Sequence, residues 1–198
     1  MILALDSATS TVVLGLATPG GKVLAERIQK GGRGEVLPGM LEACLTEIGS
    51  KASDISEVVC GVGPGSFTGI RIALAFGHGI AFRRTLPFRG VSSLCAVLHQ
   101  AGNRIALLDA LRGEAYVRAG TEGVDLRWKL EEFLPMVNGR QLIAEGRPDF
   151  EAQLPSGWSP MSRAMTVRGI LEARRDSSTD PVPNYLRASA PEELRSGK

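Results

Sequence analysis

Two stretches of this 198-residue chain open in the same way, and that repetition restricts the fold more than any other feature. Ile2-Leu3-Ala4-Leu5 is a continuous apolar run that ends in Asp6, passes through Ser7–Thr11 and returns as Val12-Val13-Leu14-Gly15-Leu16-Ala17. A run with no polar alternation reads as a strand covered on both faces. Val23–Ile28 follows the Pro19-Gly20-Gly21 turn and completes an antiparallel meander. From residue 104 the pattern restarts. Arg104–Leu108 ends in Asp109, turns at Gly113 and returns as Ala115–Ala119. The sequence therefore predicts two related lobes, 1–101 and 102–198, joined near Ala101-Gly102-Asn103, with Asp6 and Asp109 facing a shared cleft. Aspartate is also a common turn former, so chance is the competing explanation.

Between meander and linker the first lobe carries helices. Leu37, Met40, Leu41, Cys44, Leu45 and Ile48 recur at helical spacing over 35–48, with Pro38 in the first turn and Gly49 as the stop. Glu57–Cys60 reads as a buried strand, 67–82 as a second helix, Leu86–Val91 as a strand, and Ser92 or Ser93 caps a third helix through Leu98. The second lobe is sparser. A weak strand lies within Gly120–Trp128 and another at Gln141–Ala144. Ser159 and Pro160 open a helix reaching about Arg174. The prolines make Asp180–Arg187 extended, and 188–198 reads as loose chain.

Gly61-Val62-Gly63-Pro64-Gly65-Ser66-Phe67-Thr68-Gly69-Ile70-Arg71 joins a strand to a helix. Such a turn aims backbone N–H groups at one point, beside the positive end of the helix dipole. It either holds a phosphate, with Asp6, Gly63, Gly65, Ser66, Thr68 and Asp109 as the candidate nucleotide cleft, or lets strand and helix pack closely. In the helix itself Gly69, Ala73 and Gly77 stand four residues apart and form one groove. Helical glycines sacrifice stability, together roughly 2 kcal/mol for Gly69, Gly77 and Gly79. A second polypeptide in the groove would offset this. The partner or dimer surface would then comprise Leu37, Met40, Leu41, Cys44, Gly69, Ile70, Ala73, Leu74 and Gly77. On that reading Gly77→Leu leaves the lobe folded and blocks docking. The alternative is a helix internal to its own lobe.

Composition narrows the function. Lys and Arg number 23 against 21 Asp and Glu, a net charge of +2, without the excess expected of a chain that binds nucleic acid alone. The 3 cysteines, Cys44, Cys60 and Cys95, lack CxxC spacing and sit among apolar residues, which reads as reduced thiols and a cytoplasmic location. The chain opens directly on a strand, with no leader sequence read. The longest apolar run, 70–82, is too short and interrupted to span a bilayer, so no membrane role is expected. With only His78 and His99, no HxxxH, no Walker motif and no GxSxG elbow, neither a metal site, a P-loop ATPase nor a serine hydrolase is expected.

Ile2–Thr9, Gly63–Arg71, Gly90-Val91-Ser92-Ser93-Leu94, Asp109–Tyr116 and Pro183–Arg187, in this order, closely resemble the bacterial TsaB (YeaZ) family over residues 1 to about 187. The resemblance implies a two-lobed α/β fold of the actin-like, Hsp70-like, sugar-kinase-like (ASKHA) type with a reduced second lobe. It implies a non-catalytic relative of TsaD that binds and activates TsaD in forming threonylcarbamoyladenosine in tRNA. Its helices 35–48 and 67–82 would meet TsaD, the ATPase TsaE would join that pair, and the chain would form a homodimer where TsaD is absent. No cofactor is implied in this chain alone; ATP and a metal are expected on the partner subunits, and tRNA is reached through the complex. Members usually carry His-Ser before the first-helix Leu-Leu-Pro, where this chain has Arg33-Gly34-Glu35-Val36-Leu37-Pro38. The rival function is an enzyme, a nucleotide phosphotransferase or hydrolase or a protease-like protein, acting through the inter-lobe cleft. A third is a chaperone-like binder of another protein.

Overall fold

The computed structural model describes residues 1–32, 34–174 and 181–186. The first half runs β1 (Ile2–Asp6), β2 (Thr11–Ala17), β3 (Val23–Lys30), α1 (Leu37–Glu47), β4 (Glu57–Gly61), α2 (Phe67–Phe82), β5 (Phe88–Val91) and α3 (Ser93–Ala101). The second runs β6 (Ile105–Asp109), β7 (Glu114–Ala119), β8 (Leu126–Lys129), α4 (Leu130–Phe133), β9 (Leu142–Glu145), α5 (Pro148–Glu151), β10 (Ser159–Pro160) and α6 (Val167–Ala173).

Among the described residues these strands form two five-stranded sheets, ordered β3-β2-β1-β4-β5 and β8-β7-β6-β9-β10. Each begins with an antiparallel meander and continues with two parallel strands. The two sheets thus have one topology, and β6 occupies in the second the place of β1 in the first. The fold is a two-lobed α/β fold with a duplicated sheet, as expected.

The side-chain period of two divides each central strand between two cores. Leu3 and Leu5 of β1, with Val12, Leu14 and Leu16 of β2, point to a core shared with α1 and α2. Ile2 and Ala4 point the other way, into a central core with α3, α6, Ala106 and Leu108 of β6, and Ile143 of β9. Ile105 and Leu107 face a third core with Leu130, Phe133 and Phe150. The layers are therefore α1/α2, sheet, α3/α6, sheet, and α4/α5. An uninterrupted apolar strand is what a buried middle layer demands.

The middle layer is exchanged between the halves. Helix α3 belongs to the first half and packs on β6 and β7; α6 belongs to the second and packs on β1, β2, β3 and β4. The division at 101 and 102 separates the sheets in sequence, while the last helix of each half lies against the sheet of the other.

The stretch after residue 158 differs from its expected helix. Ser159–Pro160 forms a short edge strand, Met161–Arg163 a turn of 3-10 helix, and α6 starts only at Val167. Pro160 has no N–H to give, which suits an edge as well as a helix start. The cap is Thr166, whose hydroxyl accepts from Gly169 N at 3.1 Å, with Glu26 accepting from Val167 N at 2.6 Å. The weak strand expected within Gly120–Trp128 is confined to β8. The expectations for Arg33, Asp180, Arg187 and 188–198 concern positions outside the described residues.

The small-residue groove of α2 faces inward, a correction to its expected role as a partner's seat. Gly69, Ala73 and Gly77 are buried against the chain's own first sheet. A Cβ on Gly69 would overlap the Ser7 carbonyl oxygen, and one on Gly77 would lie 2.9 Å from the Phe88 ring. Leu37, Met40, Leu41 and Cys44 are buried in the same core, Ile70 is buried, and Leu74 is half-buried. What offsets Gly69 and Gly77 is close approach to Ser7 just past β1, to Phe88 of β5 and to Val58 of β4, whereas Gly79 is exposed with no neighbour within 4 Å. Gly69→Ala should therefore lower the unfolding free energy by about 1–3 kcal/mol, and Gly77→Leu by more, through overpacking. Urea denaturation of both variants checks this; midpoints equal to that of the unsubstituted chain would return the stripe to the surface.

Candidate functional site

The candidate cleft residues converge on Asp6, at the end of β1. Its side chain is wholly buried. Ala8 N donates to Oδ1 at 2.7 Å, and the Ser93 hydroxyl donates to Oδ2 at 2.6 Å. Ser93 in turn accepts from Gly63 N at 3.2 Å, and Ser93 N donates to Gly63 O. A Cβ on Gly61 would overlap the Asp6 carboxylate, so β4 passes this close only as glycine. Burial pushes the Asp6 carboxyl up to about 6, against the pull of its two hydrogen bonds and with the charge of Glu145 adding to the rise.

The glycine turn closes over this aspartate. Ser66 N donates to Ala8 O at 2.7 Å, and a Cβ on Gly65 would overlap that same carbonyl. Gly69 N, in the first turn of α2, donates to Ser66 Oγ, and Ile70 N to Ser66 O. The Ser7 hydroxyl donates to Gly69 O at 2.8 Å. The N–H groups of Gly63, Ser66, Gly69 and Ile70 thus already have protein acceptors. Of the two readings of the motif, the geometry favours packing: it clasps the β1–β2 turn. Thr68 is exposed on the outer side of α2, away from Asp6's buried partners.

Asp109 repeats the local geometry of Asp6 and departs beyond it. Leu111 N donates to Asp109 Oδ1 at 2.7 Å, as Ala8 N does to Asp6. Its other oxygen takes Arg147 Nε at 2.8 Å, in an ion pair that covers the carboxylate. Between the two aspartates runs the end of β9. Glu145 accepts from Ser10 N at 2.6 Å, joining the second sheet to the first turn, and Gly146 packs against Asp109 Cβ. Burial also raises the Glu145 carboxyl. Both carboxylates are thus engaged by the chain's own groups, and the bond from Ser10 to Glu145 joins the two sheets between them.

Sequence reasoning missed Glu145, Arg147 and the bridging role of Ser93. The repeated topology held the signal for Glu145: β9 matches β4, whose end carries the glycine turn. Ser93 was read only as a possible helix cap. Ser92 takes that role, accepting from Cys95 N at 3.1 Å.

A carboxyl raised from 3.8 to about 6 stays protonated in the fold at pH values where the unfolded chain has lost its proton. Stability contributed by Asp6 is present below pH 3.8 and is lost as pH rises to about 6, after which the deficit is constant at about 3 kcal/mol. Asn keeps one acceptor for Ala8 N and turns its amide toward Ser93 Oγ. The stability of Asp6→Asn relative to the unsubstituted chain should therefore increase between pH 4 and pH 6.5 and level off above. Urea melts across this range measure it; a pH-independent difference would contradict the burial cost.

Comparison with known proteins follows the same lines. A sequence profile described as "TsaD: tRNA N6-adenosine threonylcarbamoyltransferase" matches residues 13–130. A protein of Haemophilus influenzae described as "tRNA threonylcarbamoyladenosine biosynthesis protein TsaB" is 30% identical over 93% of this chain and 81% of its own length. An uncharacterized protein of Mycobacterium tuberculosis is 34% identical over 94% of this chain and 91% of its own. Among solved structures, YeaZ from Pseudomonas aeruginosa superposes with a TM-score of 0.72 over 91% of this chain and 98% of that one, at 22% identity, a likeness of fold.

Proposed function

Because the chain belongs to the TsaB (YeaZ) family, and through it to tRNA threonylcarbamoyladenosine biosynthesis, we propose that it is a non-catalytic subunit that binds and activates TsaD. The observation that carries this reading is the self-occupied clasp. A nucleotide cleft needs open backbone donors and a solvated carboxylate beside them; here the N–H groups of Gly63, Ser66, Gly69 and Ile70 end on Ser93, Ala8 and Ser66, and Asp6 is sealed. The same observation counts against a phosphotransferase or hydrolase working through Asp6 and Asp109.

The partner surface moves outward from the glycine stripe. Helices α1 and α2 form the outer layer of the first lobe. Between them lies an apolar groove of about 340 Å³, lined by Pro38, Leu41, Leu45, Phe76 and the polar Glu42 and Thr46. On α2, Ala75 and Gly79 are exposed, and Phe82 is 74% exposed. Of the residues expected at the partner surface, Leu41 reaches this groove, and the other buried ones support it from beneath. TsaD docks on this face, TsaE joins the pair, and a second copy takes the face when TsaD is absent. ATP, metal and tRNA are held by the partners. The described helices include none long and apolar enough to cross a membrane.

Reconstitution tests the reading. With TsaD, TsaE, ATP, threonylcarbamoyl-adenylate and unmodified tRNA, modified nucleoside should accumulate only when this chain is added, and the chain alone should turn over nothing. Modification at full rate without it would end the proposal. Loss of activity in Asp6→Asn with TsaD binding intact would favour the enzymatic alternative.

A further inference from the structure

The outer face of α2 begins with an arginine that is ordered before any partner arrives. Arg71 is exposed, yet its guanidinium carbon lies 3.8 Å above the centre of the Phe67 ring, one helical turn earlier. Tyr185 flanks both groups, its ring centre 4.6 Å from that of Phe67 and 6.0 Å from the Arg71 guanidinium carbon. Its hydroxyl accepts from Arg71 Nε at 3.2 Å.

Tyr185 is itself fixed. Asn184 N donates to Val62 O at 2.8 Å, at the end of β4, and Asn184 Nδ2 donates to the buried carboxylate of Asp125 at 2.7 Å. Asp125 also receives the Ser92 hydroxyl and Arg118. On the other side of Tyr185, Leu186 packs against the central core. Residues 181–186 thus hold an aromatic ring against an arginine on the surface.

Among the described residues Arg71 has no carboxylate partner, and its terminal nitrogens find no acceptor. A flat guanidinium, stacked on one ring and steered by a hydroxyl, has lost its side-chain freedom already and offers a planar fork that matches a carboxylate. Arginine and aromatic residues grouped in this way are the composition of interface hot spots. The surroundings select the kind of ligand. Beside Arg71 the outer face of α2 presents Thr68, Ala75 and the half-buried Ile72, and the neighbouring groove carries Glu42. A nucleic-acid backbone is held by several cations together, whereas a lone stacked arginine among apolar and acidic neighbours suits one carboxylate on a protein.

Resting on the reading above that TsaD docks on α1 and α2, we propose that Arg71 is the anchor of that interface and takes a carboxylate of TsaD in a paired hydrogen bond. Residues 181–186 are its positioning device, acting through Tyr185.

Calorimetry of the whole chain with TsaD, in the absence of tRNA, tests this. Arg71→Gln should weaken binding at least ~10-fold, while its thermal melt stays close to that of the unsubstituted chain. Arg71→Lys keeps the charge and loses the fork, and should weaken binding nearly as much. Asn184→Ala, which frees Tyr185, should give a smaller loss that a lower on-rate does not account for. Binding by Arg71→Gln within about twofold of the unsubstituted chain overturns the anchor and leaves the TsaD reading standing. A loss that appears only when tRNA is present assigns Arg71 to phosphate and also overturns it. Failure of the unsubstituted chain to bind TsaD removes the underlying reading, and the anchor with it.

Discussion

A carboxylate withdrawn from water must be met by donors or give up its charge, and the arrangement around Asp6 answers that demand. Two donors reach it, from Ala8 N and from Ser93. Each belongs to a different element. Ala8 lies in the β1–β2 turn and Ser93 at the start of α3; Ser93 in turn accepts from Gly63 of the glycine turn. One buried oxygen pair therefore fixes where the first turn, the glycine turn and the central helix layer meet. Gly61 exists as glycine because this carboxylate lies against it. The glycine turn then closes on Ala8 O, and α2 begins where that closure places Ser66. The orientation of α2 on the sheet, and with it the outer face proposed for TsaD, descends from a contact that no solvent touches.

The duplicated topology explains why the second aspartate does not do the same. Asp109 makes the same bond to the backbone two residues on, which is the local geometry of an aspartate ending a strand before a tight turn. What differs is the element facing it. The second sheet presents Glu145, Gly146 and Arg147 at the matching place, with no glycine clasp, so a charge pair takes the place of the hydroxyl donor. Within one fold, the first lobe answers its aspartate with hydroxyl and backbone and the second with a guanidinium. The outcome across the seam is a bond between the lobes, Ser10 to Glu145, where an open cleft would need space.

Much of the fold was readable because its strands belong to a layered arrangement. Ile2–Leu5 carries no polar alternation, and this follows from each of its faces meeting a separate core. The repetition of an apolar strand, aspartate and returning strand gave the duplication before any coordinates. Helix α2 was legible in extent and misread in direction. Gly69, Ala73 and Gly77 do mark close approach, but periodicity identifies a face without saying what lies against it, and Ser7 lies 62 residues from Gly69 in sequence. Thr166 was likewise passed over as a cap because Ser159-Pro160 carries the same local signal, and only pairing of Ser159 with Ile143 decides between them. The Asp6–Ser93 bond spans 87 residues and left no trace in spacing.

The inward turn of the glycine stripe removes that groove as support for a scaffold, and the scaffold reading then rests on the family and on the outer faces of α1 and α2. A helix grooved for a partner and exposed until that partner arrives would be marginal by itself, since it bears the cost of its glycines without compensation. Here the compensation is internal: α2 is seated against the sheet by close backbone contact, and its outer face is held rigid before any encounter. Association then orders fewer groups than it would on a loose helix, which is the condition under which a modest surface binds tightly. The clasp that ties Gly63, Ser66 and Gly69 around the β1–β2 turn also seats α2, and so stiffens the face proposed above for a partner.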